Sequence, residues 1–256
     1  MSDSTRRQPL IQSVMRAISV LNCFNSSPEL GLTEISRMVG LHKSTAAGII
    51  NTLKSENFLV QDEKSGKLRL GLALFSLAVQ ARRGISEICE PYLNTLLDVT
   101  GETVNLAVLD NTEIVYIAKK ESKHSNRIST SVGARLPVYC TAMGKSILAA
   151  MDRKRANALI DSIDLQPRTS NTITEKKKLL DIIDSISRDG IAYDFEEFET
   201  GIICIATPLC YKENDPVGAI SVSGPSVRLD EATRMNISKI IKDIAAQICN
   251  ELVRLA

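Results

Sequence analysis

The chain has 256 residues, 44% of them hydrophobic, and at a prior of roughly 150 residues per domain it can bury one large core or two. No run approaches the roughly 18 apolar residues of a membrane span, and the polar start MSDSTRRQP lacks the apolar stretch of a secretory signal, so a cytoplasmic chain is expected. The net charge of +1 hides an asymmetry: residues 1–83 carry eleven Lys and Arg against six Asp and Glu, residues 84–256 twenty against twenty-four. A basic head on an acidic body suits a polyanion at one end only.

Ile11, Val14, Ile18 and Leu21 recur at helical spacing and predict a first helix with one buried stripe. Thr33 is a candidate cap for a second helix with Ile35, Met38 and Val39 facing inward, Gly40 makes a turn, and a third helix from about Lys43 buries Ala46, Ile49, Ile50 and Leu53. The other face of that third helix is then fixed by geometry: Lys43, Ala47 and Asn51 lie four apart with Ser44 and Gly48 beside them, the strip a major groove would receive. Phe58–Gln61 and Lys67–Leu70 read as two strands whose Ser65-Gly66 turn projects Lys64, Lys67 and Arg69 towards a phosphate backbone. Helix, turn, helix with a Lys-Ser-Thr opening and basic hairpin is the order of a winged helix-turn-helix, and predicts DNA binding; a plain helical packing module is the bland alternative.

Leu72, Phe75, Ala78 and Val79 continue into a helix ending at Arg82-Arg83-Gly84, where the sign of charge changes. The expected division is a DNA-binding domain over 1–71, a linker helix over 72–83 and a second domain over 84–256. A helix with Ile88, Tyr92 and Leu96 opens that domain, and alternation at 104–108 and 114–118 around Asp110-Asn111 predicts a hairpin packed on one side. Helices near 141–150, 153–161 and 175–189, strands near 191–195, 202–209 and 217–223, and a closing helix over 230–253 make this an α/β (α+β) domain with a largely antiparallel sheet.

Two stretches of this domain carry polar groups in unusual places. In GARLPVYCTAMGKSILAAM a strand-like segment runs into a helix beginning with small residues at Thr141 and Ala142, whose first-turn amides can hold a carboxylate. In DFEEFETGIICIATPL, Asp194 and Cys204 flank a turn at Gly201, and the following strand puts Ser221 and Ser223 on one face. Such groups can satisfy a small polar ligand, although serines in a strand need none. Asp194, Glu196 and Glu197 could instead serve an enzyme, but no histidine or nucleophile accompanies them, and a loop carboxylate cluster is expected to be solvated. The six cysteines are scattered without a CxxC pair and read as reduced thiols, and His42 and His124 are far apart, so no metal centre, cofactor or cysteine nucleophile is expected.

The stretches LTEISRMVGLHKSTAAGIINTL, GARLPVYCTAMGKSILAAM, DGIAYDFEEFETGIICIATP and GAISVSGP resemble the IclR family of bacterial transcriptional regulators, over about Leu10 to Leu252. The resemblance implies an N-terminal winged helix, a linker helix and a C-terminal domain similar to the GAF fold that binds a small organic acid or a hydroxylated or aromatic acid. It also implies a homodimer, often a dimer of dimers, on palindromic double-stranded operator DNA. The expected role is repression of a catabolic operon, with activation on the same scaffold as the alternative. Position by position, the family's effector pocket corresponds to Ala142 and Met143, Asp194, Cys204, Ser221 and Ser223, with Ile128 on an apolar wall. One departure stands out: many members have two long side chains where this chain has Ala47-Gly48. DNA reading would then rest on Lys43, Ser44, Thr45 and Asn51, or on the wing and the Arg6-Arg7 tail.

Overall fold

The computed structural model describes residues 10–25, 27–82, 84–124, 131–212 and 214–255. They form two compact units that part between Ala81 and Arg82.

The first unit runs α1 (Gln12–Asn22), a 3-10 turn (Cys23–Asn25), α2 (Leu32–Met38), α3 (Lys43–Ser55), β1 (Leu59–Gln61), β2 (Leu68–Leu70) and α4 (Leu72–Arg82). Its small core joins Val20, Cys23 and Phe24 to Leu30, Ile35, Ile50, Leu59 and Leu68. Gly40, at φ +63°, makes the turn between α2 and α3, where a side chain would be strained. Ser36, buried beside it, donates its hydroxyl to the Leu41 carbonyl at 2.7 Å and so fixes the angle at which α3 leaves. β1 and β2 pair antiparallel, and a bridge from Leu30 to Leu68 ties the hairpin to the chain ahead of α2.

Three local expectations are corrected here. The cap of α2 is Gly31, not Thr33, because Glu34 reaches back to accept the Gly31 N–H at 2.7 Å and starts the helix before Thr33. Met38 is exposed, since the buried face of α2 is carried by Ile35 and Ser36. The stripe expected to bury α1 faces outward: Ile11, Val14 and Ile18 are 69%, 53% and 52% exposed, while Val20 is fully covered and Leu21 half-buried. Spacing revealed that α1 has an apolar stripe; the core of one chain takes the neighbouring face.

The second unit contains α5 (Ile85–Thr100), β3 (Thr103–Asp110), β4 (Glu113–Lys120), β5 (Arg135–Pro137), α6 (Ala142–Ala150), α7 (Arg153–Ser162), α8 (Lys176–Asp189), β6 (Ala192–Phe195), β7 (Ile202–Lys212), β8 (Asp215–Pro225) and α9 (Glu231–Leu255). The six strands form one sheet in the order β5-β4-β3-β8-β7-β6, with every neighbouring pair antiparallel. Because side chains alternate faces along a strand, the sheet supports two cores. Val104, Leu106, Ile205, Ile220 and Val222 pack with Leu93 of α5 and Ile241 and Ile248 of α9. Ala107, Tyr116, Ala192, Ala206 and Ala219 pack with Met143 and Ile147 of α6, Ile160 of α7 and Ile183 of α8. The small alanines on the second face let α6 lie close to the sheet. Among the described residues, no helix is long and apolar enough to cross a membrane.

Candidate functional site

The second face of the sheet is apolar except beneath the start of α6. The register there sets polar side chains in adjoining rows: Asp194 of β6 lies opposite Cys204 of β7, which lies opposite Ser223 of β8, and Ser221 lies opposite Asn105 of β3. All are on one face because residues directly opposite on neighbouring strands share a face, and Ser221 and Ser223 lie two apart on β8. Asn105 Nδ2 donates to the Ser221 and Ser223 hydroxyls at 3.4 and 3.5 Å, which joins the rows.

Above the rows the chain turns into α6. Thr141 caps the helix, its Oγ1 accepting from the Gly144 N–H at 3.2 Å while the hydroxyl donates to the Pro137 carbonyl at 3.0 Å. The residue at 144 must be glycine: a Cβ there would stand 2.3 Å from the Val138 carbonyl oxygen and 2.4 Å from its Cα. This approach folds the 137–141 segment over the first turn, where the amides of Ala142 and Met143 have no intrahelical acceptor.

Between helix start and sheet lies a small enclosed cavity of about 30 Å³. Ala142, Met143, Asp194, Cys204, Ser221 and Ser223 all line it, so the structure brings six of the seven expected residues together; Ile128 lies outside the described residues. Thr141, from the helix start singled out above, lines the cavity too, whereas Asn105, Tyr116, Leu136, Phe198, Glu199 and Ile202 were not anticipated. Asn105 carries a sequence signal, an amide inside the apolar run Val104–Val108 of a central strand. A volume near that of one water means that a larger ligand must move side chains to enter.

The expectation of solvated loop carboxylates is corrected: Asp194 is 3% and Glu197 5% exposed. Glu197 pairs with Lys145 of α6, itself 1% exposed, and one oxygen of its carboxylate, Oε2, has no hydrogen-bond partner among the described residues. The Glu197 N–H donates to Asp194 Oδ1 at 2.7 Å. Burial, reinforced by the nearby Glu197 charge, raises the Asp194 carboxyl to about 7 against the stabilising pull of that N–H. Burial also pushes Cys204 and Tyr116 upward, and the Cys140 thiol to about 12, so all three are neutral. A groove of about 1040 Å³ runs along the free edge of β6 between α8 and α9, past Ile182, Ile186, Tyr193 and Phe195, and Lys145 and Glu197 also line it. It is open to solvent and does not receive the polar rows.

In the first unit, Lys43, Ser44, Thr45, Gly48 and Asn51 are exposed on α3 and Ala47 is half-buried. His42 caps the helix, its Nδ1 accepting from the Ser44 N–H at 3.4 Å and sharing a 2.9 Å hydrogen bond with the Ser44 hydroxyl. No atom lies within 4 Å of where a Cβ at Gly48 would stand, so packing does not require that glycine. Lys64, Lys67 and Arg69 are exposed on the hairpin, whose tip is held by Asp62 Oδ1 accepting from the Lys64 and Ser65 N–H groups at 3.1 and 2.7 Å. Lys54 Nζ donates to Gln61 Oε1 at 2.6 Å and ties the end of α3 to β1.

Residues 13–63 match the family described as IclR helix-turn-helix domain, and residues 77–250 the one described as Bacterial transcriptional regulator IclR C-terminal. The chain belongs to the IclR family. It is therefore a DNA-binding transcriptional regulator rather than an enzyme. It is 33% identical over 247 residues to the HTH-type transcriptional regulator XynR of Escherichia coli K12, across 95% of this chain and 98% of that one. Similarity to the HTH-type transcriptional repressor AllR of the same strain is 29% over 244 residues, 94% of this chain and 90% of the other. A solved IclR homologue complexed with 4-hydroxybenzoate, from Microbacterium hydrocarbonoxydans, shares the fold with a TM-score of 0.82 over 96% of this chain and all of that one, at 22% identity.

Proposed function

We propose that this regulator is a repressor of a catabolic operon whose hold on a palindromic operator is released by a small organic acid in the cavity beneath α6. The observation that carries the effector half is the convergence of Asn105, Asp194, Cys204, Ser221 and Ser223, from four strands, on the first turn of α6. Helix amides suit a carboxylate, and the hydroxyls suit its remaining oxygens. The small cavity favours a compact acid; the solved homologue with 4-hydroxybenzoate supports acids as the ligand class, and a ring would enter a cavity of this size only after lining side chains shift. Repression is supported by the similarity to AllR.

The DNA half rests on the exposed strip Lys43, Ser44, Thr45, Ala47, Gly48 and Asn51, with Lys64, Lys67 and Arg69 on phosphates. Residues 1–71 would bind DNA, 72–83 link, and 84–256 sense the effector. The outward stripe of α1 and the exposed Leu72, Phe75 and Leu77 of α4 support a homodimer, with a dimer of dimers through the second units as its extension. Two readers would lie about 34 to 36 Å apart, or a multiple of this, on the operator. Since the operator is in the cytoplasm of a bacterium, the protein works there.

The test is binding of the full chain to the intergenic DNA flanking its own gene, with and without acetate, glycolate, pyruvate or 4-hydroxybenzoate. An acid should weaken DNA binding, and Ser221→Ala or Ser223→Ala should blunt that response while acid-free DNA affinity stays near wild type. Lys67→Ala should lower the salt slope of binding by about 0.9 for one lost phosphate contact. A response to acids that survives both serine changes would put the effector site elsewhere.

A further inference from the structure

Asp194 presents a chemical difficulty for any acid that enters the cavity: it is itself an acid, 3% exposed, on the cavity wall. The charges around it can be counted element by element. From α6 comes Lys145; from the loop after β6 come Glu197 and Glu199; β7 gives Cys204, β4 gives Tyr116 and the segment before α6 gives Cys140. Arg168 reaches the same region from the surface, stacked on the Phe198 ring at 5.7 Å, and acts on Cys140. The thiols and the phenol are held neutral by burial, Glu199 is exposed, and β8 and β3 contribute only uncharged Ser221, Ser223 and Asn105. The buried charge is thus one ammonium and two carboxyls.

Geometry decides how the ammonium is shared. Lys145 is bonded to Glu197, and what Glu197 offers Asp194 is its backbone N–H at 2.7 Å. With both carboxyls ionised the cluster already carries one uncompensated negative charge away from water. An effector carboxylate on the Ala142 and Met143 amides would add a second beside it, and two carboxylates that share a desolvated site do not both stay ionised.

We propose that the cavity binds a carboxylate together with one proton from solvent, and that the proton rests on Asp194, whose carboxyl then donates a hydrogen bond to the ligand. This rests on the effector-site reading above and adds its ligand form and its regulation. No bond within the ligand changes: a carboxylate, the Asp194 carboxylate and one proton become a hydrogen-bonded acid and carboxylate pair. Burial and the Glu197 charge hold Asp194 near 7 before any ligand arrives, so the proton is half in place at neutral pH. Acid binding and proton uptake are then linked, and effector affinity falls about tenfold per pH unit above the midpoint and levels off below it. Acidification would sensitise the regulator to its effector without a change in effector concentration.

Two measurements on the full chain test this. The carboxyl ¹³C signal that disappears in Asp194→Asn should titrate near pH 7 in the free protein; a midpoint in the ordinary carboxylate range overturns the proposal. Calorimetry with acetate, glycolate, pyruvate and 4-hydroxybenzoate, in buffers of different ionisation enthalpy, should show uptake approaching one proton at pH 8 and about a tenfold loss of affinity from pH 7.5 to 8.5. Asp194→Asn should abolish both effects while the acid still binds, because an amide donates without taking up a proton. Equal affinity at pH 6 and 8.5 without proton uptake, in a protein whose acid binding is still weakened by Ser221→Ala, overturns the coupling alone. Acid binding indifferent to Ser221→Ala and Asp194→Asn, or no binding of any of the four acids at pH 6, overturns the coupling and the site together.

Discussion

Gly48 and Gly144 both sit inside helices, one in each unit, and they do opposite things. Around Gly48 of α3 there is open space, and the glycine leaves a helix face flat; around Gly144 of α6 there is the Val138 backbone, and the glycine lets two segments touch. The first unit keeps its polar groups outside, on a strip and a hairpin where a large partner can reach them. The second keeps them inside, in rows across a sheet, where only a small molecule can. The same residue type is therefore an absence of contact in one unit and a condition of contact in the other.

The largest expected effect comes from the buried charges of the second unit. Lys145→Met leaves Glu197 without its ammonium and should cost about 3–5 kcal/mol in denaturant unfolding of that unit, while unfolding of the first unit is unchanged; equal stability would show that the pair is accessible to water. The pH dependence of Asp194 comes next. Its folded carboxyl stands near 7 against 3.8 for the free side chain, so between those values the native state binds more protons than the unfolded one, and the contribution to stability is full below about 4 and lost as pH rises through about 7. Relative to Asp194→Asn, wild type should lose stability across that window, by at most about 4 kcal/mol. A wild-type minus variant difference that is flat with pH would break the contrast between a buried and a solvated acid.

Gly144→Ala forces a methyl onto the Val138 backbone and should cost about 3 kcal/mol, with loss of acid binding as the 137–141 segment lifts. The smallest effect has the opposite sign. Gly48→Ala should stabilise the first unit by about 1 kcal/mol, because nothing opposes the methyl in the free protein, yet weaken operator binding if the α3 backbone approaches the bases there. Thermal melts and DNA titrations of this one variant separate the two roles; stabilisation with unchanged DNA affinity would leave Gly48 without a part in recognition.

How much of this was legible depended on how local each interaction is. The β3–β4 hairpin could be read because Val104, Leu106, Ile114 and Tyr116 alternate around an Asp-Asn turn, and Asn111 does take the positive φ such a turn needs. Its packing on one side could not, because the register shifts after Leu106, and Ile114 and Tyr116 join the α6 core while Val104, Leu106 and Ala118 join the α5–α9 core. The serine row could be read because period two needs only neighbours. Which face of α1 the core would take could not: Ile11, Val14 and Ile18 form as regular a stripe as any buried one. The Lys145–Glu197 pair was equally hidden, since its partners lie 52 residues apart, although a lone lysine within the apolar run of α6 was a signal that a counter-charge must exist. Asn105 meets Ser221 from 116 residues away, and only the sheet order explains why.

β6 is an edge strand: within the sheet it is laddered to β7 and to nothing else, and it carries Asp194 into the cavity on one face, while Tyr193 and Phe195 on the other line the open groove along its free edge. A strand held from one side detaches at lower free energy than strands held from both, and a cavity of about 30 Å³ has to be opened before an acid can enter. The amides of β6 should therefore exchange with heavy water faster than those of β3 and β8, and slow down when an acid is bound. On that view the rate at which effector arrives is set by breathing of the sheet's last strand, and residence time on the protein becomes a property of its edge rather than of the serines and amides that hold the ligand.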